Sequence, residues 1–117
     1  LYIANSHGPR PIWMSYPLNK NGLVKKGKIF FDSTEYRKKH PDRKGGNDGM
    51  KVDINGNIWA TGPGGVLVFS PEGKHLGTIL TGQRTANCAF GDDVLTLYIT
   101  ADMYLMRIRT KVKGFGF

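Results

Sequence analysis

Few residues in this sequence could do chemistry, and two of them stand in related positions. Asp48 opens the segment Asp48-Gly49-Met50-Lys51-Val52-Asp53, and Asn87 opens Asn87-Cys88-Ala89-Phe90-Gly91-Asp92. They lie 39 residues apart (87 − 48 = 39). Carboxylate and amide oxygens are hard donors, the kind that suits Ca²⁺, Mg²⁺ or Mn²⁺ and that Zn²⁺ accepts. Taken alone, however, an Asp before a Gly is a turn residue whose carboxylate caps the loop entering a strand. Asn87 alone equally reads as a strand-edge amide bonding local backbone. The other reactive side chains offer less. Cys88 is the single cysteine, which excludes an internal disulfide and a Cys-rich zinc site, and no His or acid stands at a spacing that would make it a nucleophile. His7, His40 and His75 show no ligand spacing and read as surface residues of turns or loops.

The elements that must position these residues are strands. Turn punctuation recurs at Asn21-Gly22, Asn55-Gly56, Gly62-Pro63-Gly64-Gly65, Pro71-Glu72-Gly73 and Gly91-Asp92-Asp93. Asn-Gly pairs and Gly-rich turns supply the positive φ angles that tight hairpins need. Between them lie short β-forming runs: Leu1–Ala4, Lys28–Phe31, Met50–Ile54, Ile58–Thr61, Val66–Phe69, Leu97–Thr100 and Leu105–Arg109. No stretch carries a capped apolar stripe at helical spacing, so an all-β chain is expected.

An internal repeat organises these runs. In the 39-residue register, Ile58-Trp59-Ala60-Thr61 falls on Leu97-Tyr98-Ile99-Thr100, and Val66-Leu67-Val68-Phe69 falls on Leu105-Met106-Arg107-Ile108. Leu1-Tyr2-Ile3-Ala4 is a third copy of the aromatic-centred strand. A period near 40 with four short strands per unit is the pattern of β-propeller blades, each a four-stranded antiparallel sheet. The 117 residues then form one partial propeller domain: a blade remnant over 1–32, a loop over 33–47, a blade over 48–80 and a blade over 86–109. Two and a half blades cannot close a ring, and long unpaired edges are a liability. The chain is therefore expected to be a piece of a longer protein, or to be completed by further copies of itself. Trp13, Trp59 and Tyr98 are expected to pack between blades.

The net charge is +8, from 17 Lys and Arg against nine Asp and Glu. The densest stretch, Arg37-Lys38-Lys39-His40-Pro41-Asp42-Arg43-Lys44, has no interleaved aromatic platform and reads as a solvated, mobile loop. No nucleic-acid partner is expected from it. The longest apolar runs, such as Val66–Phe69, are too short to span a bilayer, so a soluble protein with no membrane partner is expected, its compartment (cytoplasm or periplasm) left open.

A family resemblance enters at Asn47-Asp48-Gly49-Met50-Lys51-Val52-Asp53 followed by Asn55-Gly56-Asn57-Ile58-Trp59-Ala60-Thr61. It continues through Gly64–Lys74, Leu76-Gly77, Thr85–Gly91 and Leu97–Ala101. The opening Leu1–Ser6 adds a further piece, with Asn5 where the pattern has Asp. In this order the segments resemble the gluconolactonase family, the regucalcin-type (senescence-marker-protein-30-like) propellers. The resemblance covers nearly the whole chain and is weakest between Gly8 and Gly46. It implies the C-terminal part of a six-bladed propeller.

The resemblance also implies a site. Family members hold one divalent cation at the top of the central channel, through a Glu, two Asn and the Asp of the segment matching Asp48. Asp48 is thus implied as a metal ligand and catalytic residue, either ligating the ion only or also taking a proton from the attacking water. Ca²⁺ is the cation expected, with Zn²⁺, Mg²⁺ or Mn²⁺ as alternatives. Asn87 is not among the family's ligands, and its place in the repeat assigns it to substrate binding. The implied reaction is hydrolysis of a sugar lactone or related ester, with a small lactone or ester as partner. The alternative is a non-catalytic propeller that binds Ca²⁺ or a partner. The other ligands would precede Leu1, so these residues alone are expected to be inactive.

Overall fold

A computed structural model describes residues 1–116. Ten strands and one short helix follow in order: β1 (Tyr2–Asn5), β2 (Ile12–Ser15), β3 (Lys28–Asp32), α1 (Thr34–Lys39), β4 (Met50–Val52), β5 (Ile58–Gly62), β6 (Gly65–Phe69), β7 (His75–Leu80), β8 (Thr85–Gly91), β9 (Thr96–Ala101) and β10 (Tyr104–Arg109). They form three antiparallel sheets, ordered β1-β2-β3, β4-β5-β6-β7 and β10-β9-β8.

The sheets stack face to face, as propeller blades do, and the period-two alternation of β5 shows how. Ile58 and Ala60, with Leu67 and Phe69 of β6, turn toward the first sheet and close one core against its Trp13 and Phe30. Trp59 turns the other way, onto Cys88, Phe90, Leu97 and Ile99 of the third sheet. The middle sheet is therefore buried on both faces, and every residue of β5 is buried. Phe69 is the hub of the first core, with ring centroids 4.6 Å from Phe31 and 5.4 Å from Trp13. Each such buried side chain is worth about 1.5–3 kcal/mol. The two outer sheets, by contrast, leave Ile3, Ile29, Leu105 and Ile108 exposed.

The hairpin after β4 turns at Asn55-Gly56, with Gly56 at φ 80°. Its carboxylate clamp is Asp53, which is buried. One oxygen accepts from the Asn55 and Asn57 backbone N–H groups, each at 2.9 Å. The other accepts from Asn57 Nδ2 at 2.8 Å and Trp59 Nε1 at 3.0 Å. The segment 113–115 returns to the same end of β4, where Ile54 N donates to Lys113 O and Phe115 N to Val52 O.

The segment 33–47, expected as a loop, is not loop throughout. It contains α1, six residues with none buried, which explains why no apolar stripe announces it. Tertiary contacts hold it: the Tyr36 hydroxyl pairs with Thr78 Oγ1 on β7 at 2.9 Å. Its N-terminal residue Ser33 is buried and donates to Pro11 O at 2.8 Å. His75 also departs from the expected surface loop. It lies on β7, partly buried against Phe69 and Tyr36, with Nε2 2.9 Å from Thr78 Oγ1.

Candidate functional site

Five connections converge at one end of the stacked sheets: β1–β2, β3–β4, β5–β6, β7–β8 and β9–β10. Backbone bonds lace them together, from Ser33 N to Pro11 O, Gly64 N to Lys44 O, Thr81 N to Gly64 O and Asp102 N to Arg84 O. Asp48 and Asn87 enter their sheets from this rim. Regular strand begins at Met50, but pairing reaches back to Asp48, whose N–H donates to Thr61 O at 3.0 Å. No helix occurs between Asp48 and Phe69.

The two inner strands meet directly beside these residues. Gly49 N donates to Ala86 O at 3.0 Å, and Thr61 Oγ1 donates within 3.0 Å of both Gly49 O and Ala86 O. This joins the residue after Asp48 to the residue before Asn87. The fit is close enough that a Cβ on Gly49 would overlap the Asn87 amide oxygen.

The side chains of the pair differ in how they are engaged. Asp32, Asp53 and Asp93 each use a carboxylate oxygen to accept an N–H two residues ahead, as turn-capping acids do. Asp48 is exposed, and its carboxylate takes no hydrogen bond and no ion pair among the described residues. Asn87 is exposed and its amide oxygen accepts Cys88 N–H at 2.9 Å, while Nδ2 has no partner among the described residues. Asn87 thus offers a donor, and Asp48 an acceptor or ligand.

A hard divalent cation fits this donor chemistry only in part. Among the described residues no group of three or more His, Cys, Asp and Glu stands together. One carboxylate is a fraction of what Ca²⁺ takes, about six to eight oxygens. Asp48 can contribute to such a site, and the remaining oxygens must come from outside it.

Cys88 belongs to packing, being buried with Sγ 3.4 Å from Trp59 O. Burial pushes its thiol up to about 11. Trp13 and Trp59 pack between sheets, but Tyr98 does not. It lies on the opposite side of β9 from Leu97 and Ile99, and its hydroxyl donates to Asp92 Oδ2 at 2.6 Å. The fold also joins the basic segment to Arg84. Arg37, Arg43 and Lys44 line one rim cavity with that residue. Only the charge run was visible beforehand, because Arg84 comes from a different loop.

Known proteins share this fold. The family model described as the SMP-30/gluconolactonase/LRE-like region matches residues 1–102. A gluconolactonase from Zymomonas mobilis subsp. mobilis is 40% identical over 97% of this chain, which covers 32% of that protein. A structural-genomics crystal structure of a protein assigned as a gluconolactonase superposes with a TM-score of 0.76 at 34% identity, over 91% of this chain and 34% of that one. A Xanthomonas campestris gluconolactonase shares the fold at 23% identity, with a TM-score of 0.74 over 97% of this chain and 33% of that one. The chain spans about a third of the length of each of these relatives. It is part of a β-propeller, and it belongs to the SMP-30/gluconolactonase/LRE-like family.

Proposed function

We propose that the full-length protein carrying this chain is a divalent-metal-dependent hydrolase of a sugar lactone or related ester. The observation that supports the reading most is the uncommitted carboxylate of Asp48. An Asp serving only the turn would accept a local N–H, as its three counterparts do. Asp48 is instead kept open at a rim where two inner strands converge. The gluconolactonase relatives supply the substrate class.

In this reading Asp48 would ligate the cation, with Ca²⁺ the first choice and Zn²⁺, Mg²⁺ or Mn²⁺ as alternatives. When bound, such an ion supplies Lewis-acid polarisation of a carbonyl and stabilises negative charge on its oxygen. A second role is open to Asp48, that of accepting a proton from the water that adds to the lactone. Asn87 would hold the substrate, because Nδ2 can donate to a lactone or hydroxyl oxygen while Oδ1 stays on Cys88 N. Gly49 positions Asn87 by leaving its amide room beside the inner strand. The chain by itself, with one ligand of the set, would be inactive.

The test is to assay gluconolactone hydrolysis by the full-length protein after chelation and after restoring Ca²⁺, Zn²⁺, Mg²⁺ or Mn²⁺ singly. Turnover that returns with a cation supports the proposal. Cation binding without turnover would overturn it in favour of a non-catalytic propeller.

A further inference from the structure

We infer that the rim carries an anion subsite, and that the lactone hydrolysed here bears a phosphate or carboxylate group. The inference rests on the lactonase reading above and adds the charge of the substrate to it. It starts from an open cavity of about 430 Å³ at the rim. Arg37, Arg43, Lys44 and Arg84 line it, together with Ser6 and the Gly45-Gly46 backbone, and no carboxylate does.

These cations are gathered from separate segments. Arg37 belongs to α1, Arg43 and Lys44 to the loop before β4, and Arg84 to the β7–β8 connection. Neither ion pair found among the described residues, Lys38–Glu35 and Arg109–Asp93, involves any of the four. Four like charges around one cavity repel, and an anion seated among them removes that cost.

The backbone that carries these cations is tied down, and the Arg43 side chain is anchored as well. Arg43 donates to the Tyr36 hydroxyl and lies over the Tyr36 ring, 5.3 Å from its centroid. The Lys44 carbonyl accepts Gly64 N–H, and the Arg84 carbonyl accepts Asp102 N–H, both at 2.8 Å. Gly45, at φ 101°, lets the loop backbone pass against Gly62 O, 3.1 Å from where a Cβ would stand. Guanidinium groups suit phosphate and carboxylate oxygens because they donate in pairs.

The cavity also lies within reach of the candidate site. Consecutive Cα atoms are about 3.8 Å apart, so Gly46 is within about 7.6 Å of Asp48, and Arg84 within about 11.4 Å of Asn87. A sugar lactone with its ring at Asp48 and a charged group at its far end spans such a gap. A macromolecular polyanion would need an extended track of charge, whereas these four cations surround one concavity.

The experiment compares kcat/KM of the full-length protein on three substrates: neutral gluconolactone, gluconolactone phosphorylated on its terminal hydroxyl, and an aldaric-acid lactone with a free carboxylate. A preference of roughly tenfold or more for either charged lactone is expected, and the preferred one identifies the anion. Arg84→Gln and Lys44→Gln should each reduce that preference by roughly tenfold, with a smaller loss on the neutral lactone. Lys20→Gln, in the β2–β3 loop, should leave the preference unchanged. Calorimetric binding of inorganic phosphate should weaken in the same two variants. Equal kcat/KM on neutral and charged lactones would overturn the inference while leaving the lactonase reading intact. Should no lactone be turned over, that reading fails instead. Phosphate binding weakened by R84Q would then still support an anion subsite, and its absence would remove it.

Discussion

The amide oxygen of Asn87 lies where a Cβ on Gly49 would stand. The inner strands β4 and β8 therefore meet side chain against backbone, directly after Asp48. A methyl group added at Gly49 must displace the Asn87 amide from its bond to Cys88 N–H. Gly49→Ala should destabilise the full-length protein by about 1–3 kcal/mol and lower lactone hydrolysis. In a double-mutant cycle with Asn87→Ala, most of that stability loss should disappear, because the overlapping amide is gone. Strictly additive losses by denaturant unfolding would show that the two residues do not constrain each other.

Asp53 gives a second prediction, on stability alone. Its buried carboxylate accepts four hydrogen bonds, two of them from Asn57 Nδ2 and Trp59 Nε1. Asp53→Ala strands those donors and should cost about 3 kcal/mol in urea unfolding. A loss below about 0.5 kcal/mol would mean the donors find water, and the clamp would be dispensable.

The thiol of Cys88 should be inert in the folded protein. Burial raises its pKa to about 11, and the sulfur is packed against Trp59 O. At about pH 8 alkylation should run at least a hundredfold slower folded than unfolded, read by intact mass. Equal rates would contradict the packing described for β8.

His75 makes stability depend on pH. Burial lowers its pKa first of all; a backbone hydrogen bond with Gly77 opposes this, and the nearby Arg43 and His40 charges add to the lowering. A histidine whose folded pKa is depressed binds its proton more readily unfolded. Its neutral form thus stabilises the fold above the unfolded pKa of about 6.5, and that contribution is lost as pH falls below this value. The Tm of the full-length protein should fall from about pH 7 to about pH 5, and less steeply in His75→Gln. Parallel pH curves for both proteins would exclude His75 as the cause.

Much of this architecture is legible in the sequence, for local reasons. Asn55-Gly56 marks its own hairpin because Gly56 must take positive φ. The 39-residue register sets Asp48 and Asn87 at equivalent strand entries, and adjacent inner strands then bring those entries together. What stayed hidden depends on tertiary contact. Helix α1 buries none of its residues and leans on Thr78 through one hydroxyl, so no periodicity betrays it. His75 looks like a turn residue until Phe69 and Tyr36 close around it. Asp53 resembles any turn acid until Trp59 Nε1 arrives from the next strand. The rim cations read as one charge run because Arg84 joins them only through the fold.

Asp48 is proposed to serve the reaction and not the fold. Its carboxylate is exposed and unbonded among the described residues, so Asp48→Ala should change stability by no more than about 0.5 kcal/mol. The decisive measurement is kcat/KM for gluconolactone in full-length Asp48→Ala, assayed with saturating divalent cation alongside its Tm. Hydrolysis at the spontaneous rate with an unchanged Tm is expected if Asp48 is a ligand or base of the reaction. Normal turnover in that variant would contradict it.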